Sequence, residues 1–249
     1  MRVSSTAPWL EDWRARVAAS SLTRRPFVTA SFALSADDCV ARRRGDSPAI
    51  SSLDAMVVAH RLRALNDAVL VGVGTVLSDD PLLATRLVKG PTGQRVVLDS
   101  RLRTPPSSRL LRSRERRVLI FGSLGAEAVR TVPLRAAGAR VELVNEGARG
   151  LELLAVLERL KERHVDTLLV EGGARVLETF FSAGLVDYVS LTRAPRNVRE
   201  PESVLAGQRT REALQRWQES IGITVGADHL GFGALQQGTH TSAPPGAMR

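Results

Sequence analysis

The sequence predicts an α/β fold, a mainly parallel central sheet flanked by helices, with an antiparallel hairpin at the C-terminal end. Three observations point to it. From Pro26 onward, short β-branched runs alternate with amphipathic helical patterns, as strand–helix–strand units require. Two late runs at 218–225 and 230–237 flank the turn 226–229 and look like a closing antiparallel pair. With 249 residues, 43% of them hydrophobic, the chain can bury a core without disulfide or metal staples.

In chain order, residues 1–24 form an N-terminal extension with a helical pattern from Trp9 to Ala19, read as a docking segment. Strands are predicted at 27–34 (FVTASFAL), 67–73 (DAVLVGV), 94–99 (QRVVLD), 116–121 (RRVLIF), 139–144 (ARVELV), 166–171 (DTLLVE) and 186–192 (VDYVSLT). The helix at 52–65 follows the capping candidates Ser51 and Ser52 and lines up Ala55, Val58, Ala59, Leu62 and Leu65. Further helices are expected at 125–137, 150–163 and 173–183. No Pro/Gly-rich linker is long enough to divide 25–238, so one domain is expected, with 239–249 (HTSAPPGAMR in its vicinity) as a disordered tail.

Composition removes several functions. The net charge of +9 could serve nucleic acid, but arginines are scattered, lysines number two (Lys89 and Lys161), and 4% aromatic residues are too few for a stacking platform. Cys39 is the single cysteine, so neither an intrachain disulfide nor a cysteine zinc site can form, and a reducing compartment is the simplest reading. No signal-peptide pattern and no run of roughly 18 apolar residues is present, which predicts a cytoplasmic protein that does not enter a membrane.

Three segments carry candidate chemistry. In LLVEGGARVLETF (168–180), Glu171 ends a strand and Gly172-Gly173 begins a helix whose free N–H groups suit phosphate; the same pair equally makes a tight turn. Glu171 is the sharper clue, because a carboxylate at the carboxyl end of a parallel strand lies where such sheets bind ligands. In LVGVGTVLSDDPLLATR (70–86), a strand ends in Gly-x-Gly-Thr, followed by a short turn and Asp79-Asp80-Pro81. Thr75 and Asp79 can hydrogen-bond a ligand, while adjacent carboxylates diverge too much to favour a metal. The third segment is the arginine set Arg63, Arg86, Arg101 and Arg103, suited to phosphate although any one of them is equally a surface residue. His60 is left unassigned. No nucleophile–base constellation accompanies the histidines.

Taken in order, RPFVTASFALSADD, GDSPAISS, HRLRALNDAVLVGVGTVLSDDPLLATR, RVVLDSRLRTP and LLVEGGARVLETFFSAGLVDYVSL resemble the reductase domain of riboflavin biosynthesis, a dihydrofolate-reductase-like family. The resemblance runs from Arg25 to about Pro195. It implies an NADPH-dependent, metal-free reductase, a homodimer, that converts a phosphoribosylamino-pyrimidine to its ribitylamino form. By the same resemblance Ala33, Thr75, Asp79, Ser100 and the turn Gly172, Gly173, Ala174, Arg175, Val176 and Leu177 would contact NADPH. Ser47, Arg63, Leu83, Arg86 and Glu171 would face the substrate, Glu171 and Asp37 would be the carboxylates nearest the reacting carbon, and Arg101 or Arg103 would meet the cofactor's 2′-phosphate.

Departures from the family pattern concentrate on the substrate side. Asp38 stands where a turn glycine is usual, Ser31 where bacterial members commonly carry lysine, Ala49 where an aromatic is frequent, and RNVREPES replaces a Lys and Gly-Gly stretch after Pro195. They leave open a related reductase acting on another imine or carbonyl, and, from a different class, a non-catalytic nucleotide- or nucleic-acid-binding paralogue.

Overall fold

Apolar side chains at period two decide which way each strand faces, and the computed structural model, which describes residues 7–20, 23–41, 50–112, 118–198 and 204–235, shows the outcome. The chain opens with α1 (Pro8–Ala19), β1 (Phe27–Leu34), β2 (Cys39–Ala41), α2 (Leu53–Leu65), β3 (Ala68–Gly72), α3 (Val73–Asp79) and β4 (Gln94–Leu98). It continues through α4 (Arg109–Arg112), β5 (Leu119–Ser123), a 3₁₀ turn at Ala128–Arg130, α5 (Thr131–Ala136), β6 (Arg140–Val144) and the short ribbon β7 (Glu146–Gly147) and β8 (Gly150–Leu151). It ends with α6 (Leu153–Lys161), β9 (Thr167–Val170), α7 (Ala174–Ser182), β10 (Tyr188–Arg193), β11 (Val204–Leu205), α8 (Gln208–Arg216), β12 (Ile221–Val225) and β13 (Asp228–Ala234).

Nine strands make one sheet in the order β12-β13-β10-β1-β9-β3-β4-β5-β6, parallel except where β13 pairs antiparallel with β10 and β12. The predicted mainly parallel sheet with its closing hairpin is what forms. Val28, Ala30, Leu70, Leu168 and Val170 point to one face, where α6, α7 and α8 supply Leu157, Phe180 and Ala213. Phe27, Val69, Val71 and Leu169, each one residue out of phase, point to the other, where α1, α2 and α3 supply Trp9, Leu62 and Val76. Two helical layers therefore cover the sheet.

The position of β9 matters most for function. It forms late in the chain yet inserts between β1 and β3, parallel to both. Its lower end is pinned by Asp67, whose Oδ2 accepts the N–H groups of Asp166 and Thr167 and the Thr167 hydroxyl at 2.9–3.0 Å. After β3 the chain moves outward to β4 with α3 on one face; after β9 it crosses to β10 with α7 on the other. The C-terminal ends of β3 and β9 thus form a topological switch point, the place where open α/β sheets leave a crevice.

Several elements differ from the sequence reading. The short turn expected between Gly-x-Gly-Thr and Asp79 is part of a helix, α3, which begins already at Val73 and which only Asp80, at φ 39, ends. The helix expected at 125–137 is split into the 3₁₀ turn and α5, and the one expected at 150–163 begins only at Leu153, after β8. α8 was not expected: its sequence, QRTREALQR, is nearly all polar. The four-residue hairpin turn contracts to Gly226-Ala227, with Gly226 at φ 62 and Val225 opposite Asp228, the geometry of a turn that needs glycine at its first central position.

The Trp9–Ala19 segment docks onto the sheet. Trp9 stacks on Phe232 with ring centroids 4.9 Å apart, Trp13 donates its indole N–H to Thr29 at 3.0 Å, and the Tyr188 hydroxyl donates to Asp12 at 3.0 Å. Among the described helices none is long and apolar enough to cross a membrane. The expected tail from 239 and Ser47 lie outside the described residues.

Candidate active site

The site is built from the C-terminal ends of β3 and β9 and from the last turn of α2. Glu171 leaves β9 with its N–H donated to Leu70 O at 2.9 Å, which carries the parallel ladder one residue past the strand and aims the side chain above the sheet. Arg63, in the last turn of α2, meets it there. Its Nε and Nη2 each donate to one carboxylate oxygen at 2.7 Å, a two-pronged pair joining residues 108 apart in sequence.

Both side chains are largely enclosed, with 17% of Arg63 and 14% of Glu171 exposed. Burial works against the guanidinium's charge, but the attraction and hydrogen bonds of Glu171 outweigh it and raise the Arg63 pKa. Arg63 is therefore a fixed cation with one edge committed to Glu171. Its remaining nitrogen, Nη1, lies 3.4 Å from Ala84 O.

Beside this pair lies a notch that suits a nucleotide. α7 begins at Ala174 with Gly173 as its N-cap and no side chain capping it; Val176 and Leu177 donate to Gly173 O, which leaves the N–H groups of Ala174 and Arg175 for a ligand. Val176, in that first turn, is wedged between two strand ends: a Cβ on Gly172 would come within 2.6 Å of Val176 Cβ, and one on Gly72 within 2.6 Å of Val176 Cγ2. Glycine at these two positions lets α7 start directly against the sheet, and Gly173 lies beside the Thr75 hydroxyl on α3. The N–H groups at the start of α7, the Thr75 hydroxyl and the side-chain-free Gly173 fit the pyrophosphate of a dinucleotide.

The structure brings the sequence-chosen residues together unevenly. Arg63, Glu171, Thr75 and Gly172 to Leu177 converge at the switch point. Ala33 lies near the end of β1, opposite Thr192 of β10, and Ser100 follows β4. Asp79 is the exposed last residue of α3, whereas its neighbour Asp80 accepts the Arg109 N–H at 2.7 Å. Leu83 is buried at φ 51 and Arg86 is exposed, both in the loop after α3. Arg101 and Arg103 are exposed on either side of buried Leu102.

Asp37 accepts the Ser35 hydroxyl at 2.5 Å and the Val198 N–H at 3.1 Å, so one of its oxygens holds the loop after β1 to the segment after β10. Asp38, in place of the family's glycine, takes the left-handed conformation at φ 60, which aspartate tolerates better than most residues. Among the described residues no group of three His, Cys, Asp or Glu side chains converges as a metal site would.

One functional candidate escaped the sequence reading. His60 is buried against the Arg63 pair, its Nδ1 accepting the Arg86 N–H at 3.0 Å. Its spacing of three from Arg63 on α2 was the available signal. Burial first, then the positive charges of Arg63 and Arg86, with Glu171 opposing in part, lower its pKa from 6.5 to about 4.

The depressed His60 pKa makes stability depend on pH. The stabilisation is complete above pH 6.5 and is lost as the pH falls toward 4, where the unfolded chain takes up a proton that the folded ring refuses. The expected loss over that window is roughly 3 kcal/mol. Urea midpoints measured from neutral to mildly acid pH should show it as a slope that is shallower in His60→Asn.

Comparison with known proteins decides the family. The RibD C-terminal domain model matches residues 26–219. The chain belongs to that family. The chain is 36% identical over 189 residues to the 2,5-diamino-6-ribosylamino-4(3H)-pyrimidinone 5′-phosphate reductase of Methanothermobacter thermautotrophicus, covering 74% of this chain and 85% of that relative. The enzyme of the same name from Archaeoglobus fulgidus is 32% identical, with 81% and 98% covered. Against RibD of Aquifex aeolicus the identity is 34%, and the chain spans only 49% of that protein's length. RibD of Acinetobacter baumannii superposes with a TM-score of 0.74 over 91% of this chain and 63% of the other, at 22% identity, which speaks for the RibD fold.

Proposed function

We propose that this chain is an NADPH-dependent reductase that converts a phosphoribosylamino-pyrimidine to its ribitylamino form. The observation that carries the reading is the Arg63–Glu171 pair at the end of β9, directly beside the glycine-lined start of α7. A fixed guanidinium for a phosphorylated ligand and an N–H cradle for a dinucleotide share one crevice.

The cofactor's contribution when bound is a hydride, delivered to ribose C1 of the ring-opened imine while the imine nitrogen takes a proton, which leaves a secondary amine and NADP⁺. The chain's part is positioning and electrostatics. Arg63 Nη1 and Arg86 would hold the ribose 5-phosphate, with Ser47 assisting from outside the described residues. Glu171 orients Arg63 and balances its charge, so the pair as it stands supplies no proton, and water is the proton source this reading prefers. Thr75, Asp79 and Ser100 would bind the cofactor's ribose and amide groups, and the first turn of α7 its pyrophosphate.

Two features support the diamino, non-deaminated pyrimidine as the substrate. The relatives that the chain covers over most of their length carry that substrate in their names. Ser31, half-buried in β1, stands where resemblance to bacterial members would call for lysine. Purified protein given NADPH should lose the reduced-nicotinamide absorbance with the diamino phosphoribosyl substrate and more slowly with its deaminated counterpart. No oxidation with either would overturn the assignment.

Arg101 and Arg103 are expected to select the phosphate of NADPH. Changing both to alanine should raise the KM for NADPH about tenfold or more, as for a lost charge-assisted pair, with the KM for NADH unmoved. The family resemblance also implies a homodimer. β12, an edge strand of the sheet, is a surface on which a second copy could pair, and light scattering tests whether the protein is a dimer.

A further inference from the structure

His60 and Arg63 lie on one face of α2, and between them and the loop after α3 runs a set of contacts that the proposed reaction does not use. His60 is 2% exposed. Its Nδ1 accepts the Arg86 N–H at 3.0 Å and lies 3.5 Å from the Leu87 N–H. A nitrogen that accepts from the backbone carries no hydrogen, so the neutral ring bears its proton on Nε2. Nε2 lies 3.4 Å from Arg63 Nη1, which like a protonated Nε2 can only donate, so the two are in contact without a hydrogen bond, and Nη1 turns instead to Ala84 O.

The imidazole is thus inserted between the guanidinium and the backbone of residues 84–87. That backbone needs holding. Leu83, which opens it, sits at φ 51, a left-handed conformation costly for a bulky side chain. From the far side Thr85 is tied by Thr92 Oγ1 and by Pro91 O, at 3.2 and 3.1 Å. From the α2 side Arg63 Nη1 reaches Ala84 O at 3.4 Å, and His60 supplies the shorter tie, to the Arg86 N–H at 3.0 Å.

We propose that His60 is a positioning residue for substrate recognition: by accepting the Arg86 N–H it fixes the Arg86 segment at a set distance from Arg63, so that the two arginines address one phosphate. The inference rests on the reading above that Arg63 and Arg86 hold the phosphorylated substrate. The ring must be neutral to work. A proton on Nδ1 would collide with the Arg86 N–H and add a third positive charge beside Arg63 and Arg86, against the counter-charge of Glu171. The downward shift of the His60 pKa, to about 4, keeps that state away at neutral pH.

Three variants and two kinds of readout test it. Asparagine can place a carbonyl oxygen near the position of Nδ1, glutamine near that of Nε2. His60→Ala and His60→Gln should speed amide exchange at Arg86 and Leu87 at least about tenfold and raise the KM for the phosphorylated pyrimidine at least about tenfold, with kcat within about threefold and NADPH affinity unchanged. His60→Asn should return both to within about threefold of the parent. In the parent protein, imidazole ¹⁵N shifts should report hydrogen on Nε2 at neutral pH.

The proposal is overturned if exchange at Arg86 and Leu87 is unchanged in His60→Ala, if His60→Asn behaves like His60→Ala, or if the ¹⁵N shifts place the proton on Nδ1. Should the alanine variant fail to fold, the ¹⁵N shifts and the asparagine–glutamine contrast decide. Exchange and ¹⁵N shifts need no turnover, so absence of reductase activity would sink the functional reading without bearing on the loop tie, whereas normal turnover with an untied loop would sink this proposal alone.

Discussion

Glu171→Ala is expected to lower both activity and stability, by amounts that separate the roles of the ion pair. Removing one partner of a buried pair strands the other charge, which costs 3–5 kcal/mol when burial is complete; with 17% and 14% exposure left on Arg63 and Glu171, about 2–4 kcal/mol is the appropriate figure. For a chain of this length that corresponds to a fall in Tm of roughly 4–16 °C. Activity should fall further than stability predicts, because Arg63 loses the fork that aims it. Misplacement of a positioning group by about 1 Å costs about a hundredfold in rate, so kcat/KM for the phosphorylated substrate should drop by about two to three orders of magnitude.

Arg63→Lys is the informative companion. It keeps a charge for Glu171 but gives up the two-pronged geometry, so most of the stability should remain while much of the kcat/KM is lost. Thermal denaturation and steady-state NADPH oxidation read the two effects. If Glu171→Ala unfolded more easily yet retained kcat/KM within about threefold, the pair would be a structural tie and the substrate would sit elsewhere.

The second large effect is expected at the strand-to-helix junction. A methyl group at position 172 would lie 2.6 Å from Val176 Cβ and 2.7 Å from its Cγ1, closer than real contacts allow, so the first turn of α7 must move. Overpacking of this kind costs about 1–3 kcal/mol. The displaced N–H groups should weaken NADPH binding by roughly ten- to a hundredfold, the equivalent of about 1.4–2.8 kcal/mol. Val176→Ala removes the colliding Cγ1 but keeps Cβ, so Gly172→Ala with Val176→Ala should recover only part of the affinity that Gly172→Ala loses. Titration of NADPH into the two single variants and the double variant yields the coupling directly. Unaltered binding in Gly172→Ala would remove the cofactor from this junction.

These two experiments probe features of different legibility. The run LLVEGG announces a buried strand followed by a helix start, and its Glu171 could be singled out as a carboxylate at the carboxyl end of a parallel strand, while Gly-Gly by itself read equally as a tight turn. The seven parallel-sheet strands were placed within a few residues because uninterrupted apolar runs bounded by polar or glycine residues leave little alternative. Short or polar elements were harder. α3 has seven residues and follows a strand without a break, so its helical period never completes two turns, and α8 presents only Ala213 and Leu214 as apolar residues. β7 and β8 are two residues each, too short for any pattern to register.

Local chemistry was enough to specify the alternation of strands and helices, the apolar faces and the glycines at the ends of β3 and β9, since these follow from side-chain period and backbone freedom within a dozen residues. Which groups meet is another matter. The insertion of β9 between β1 and β3, the pairing of Arg63 with Glu171 across 108 residues, the wedge of Val176 between Gly72 and Gly172 and the tie from His60 to Arg86 all arise when distant segments pack. Before packing, Arg63 is one arginine among many and His60 an ordinary helical histidine. Glu171, 108 residues away, fixes where the first cation points, and burial under the 84–87 loop, with the charges of Arg63 and Arg86, keeps the second a neutral acceptor.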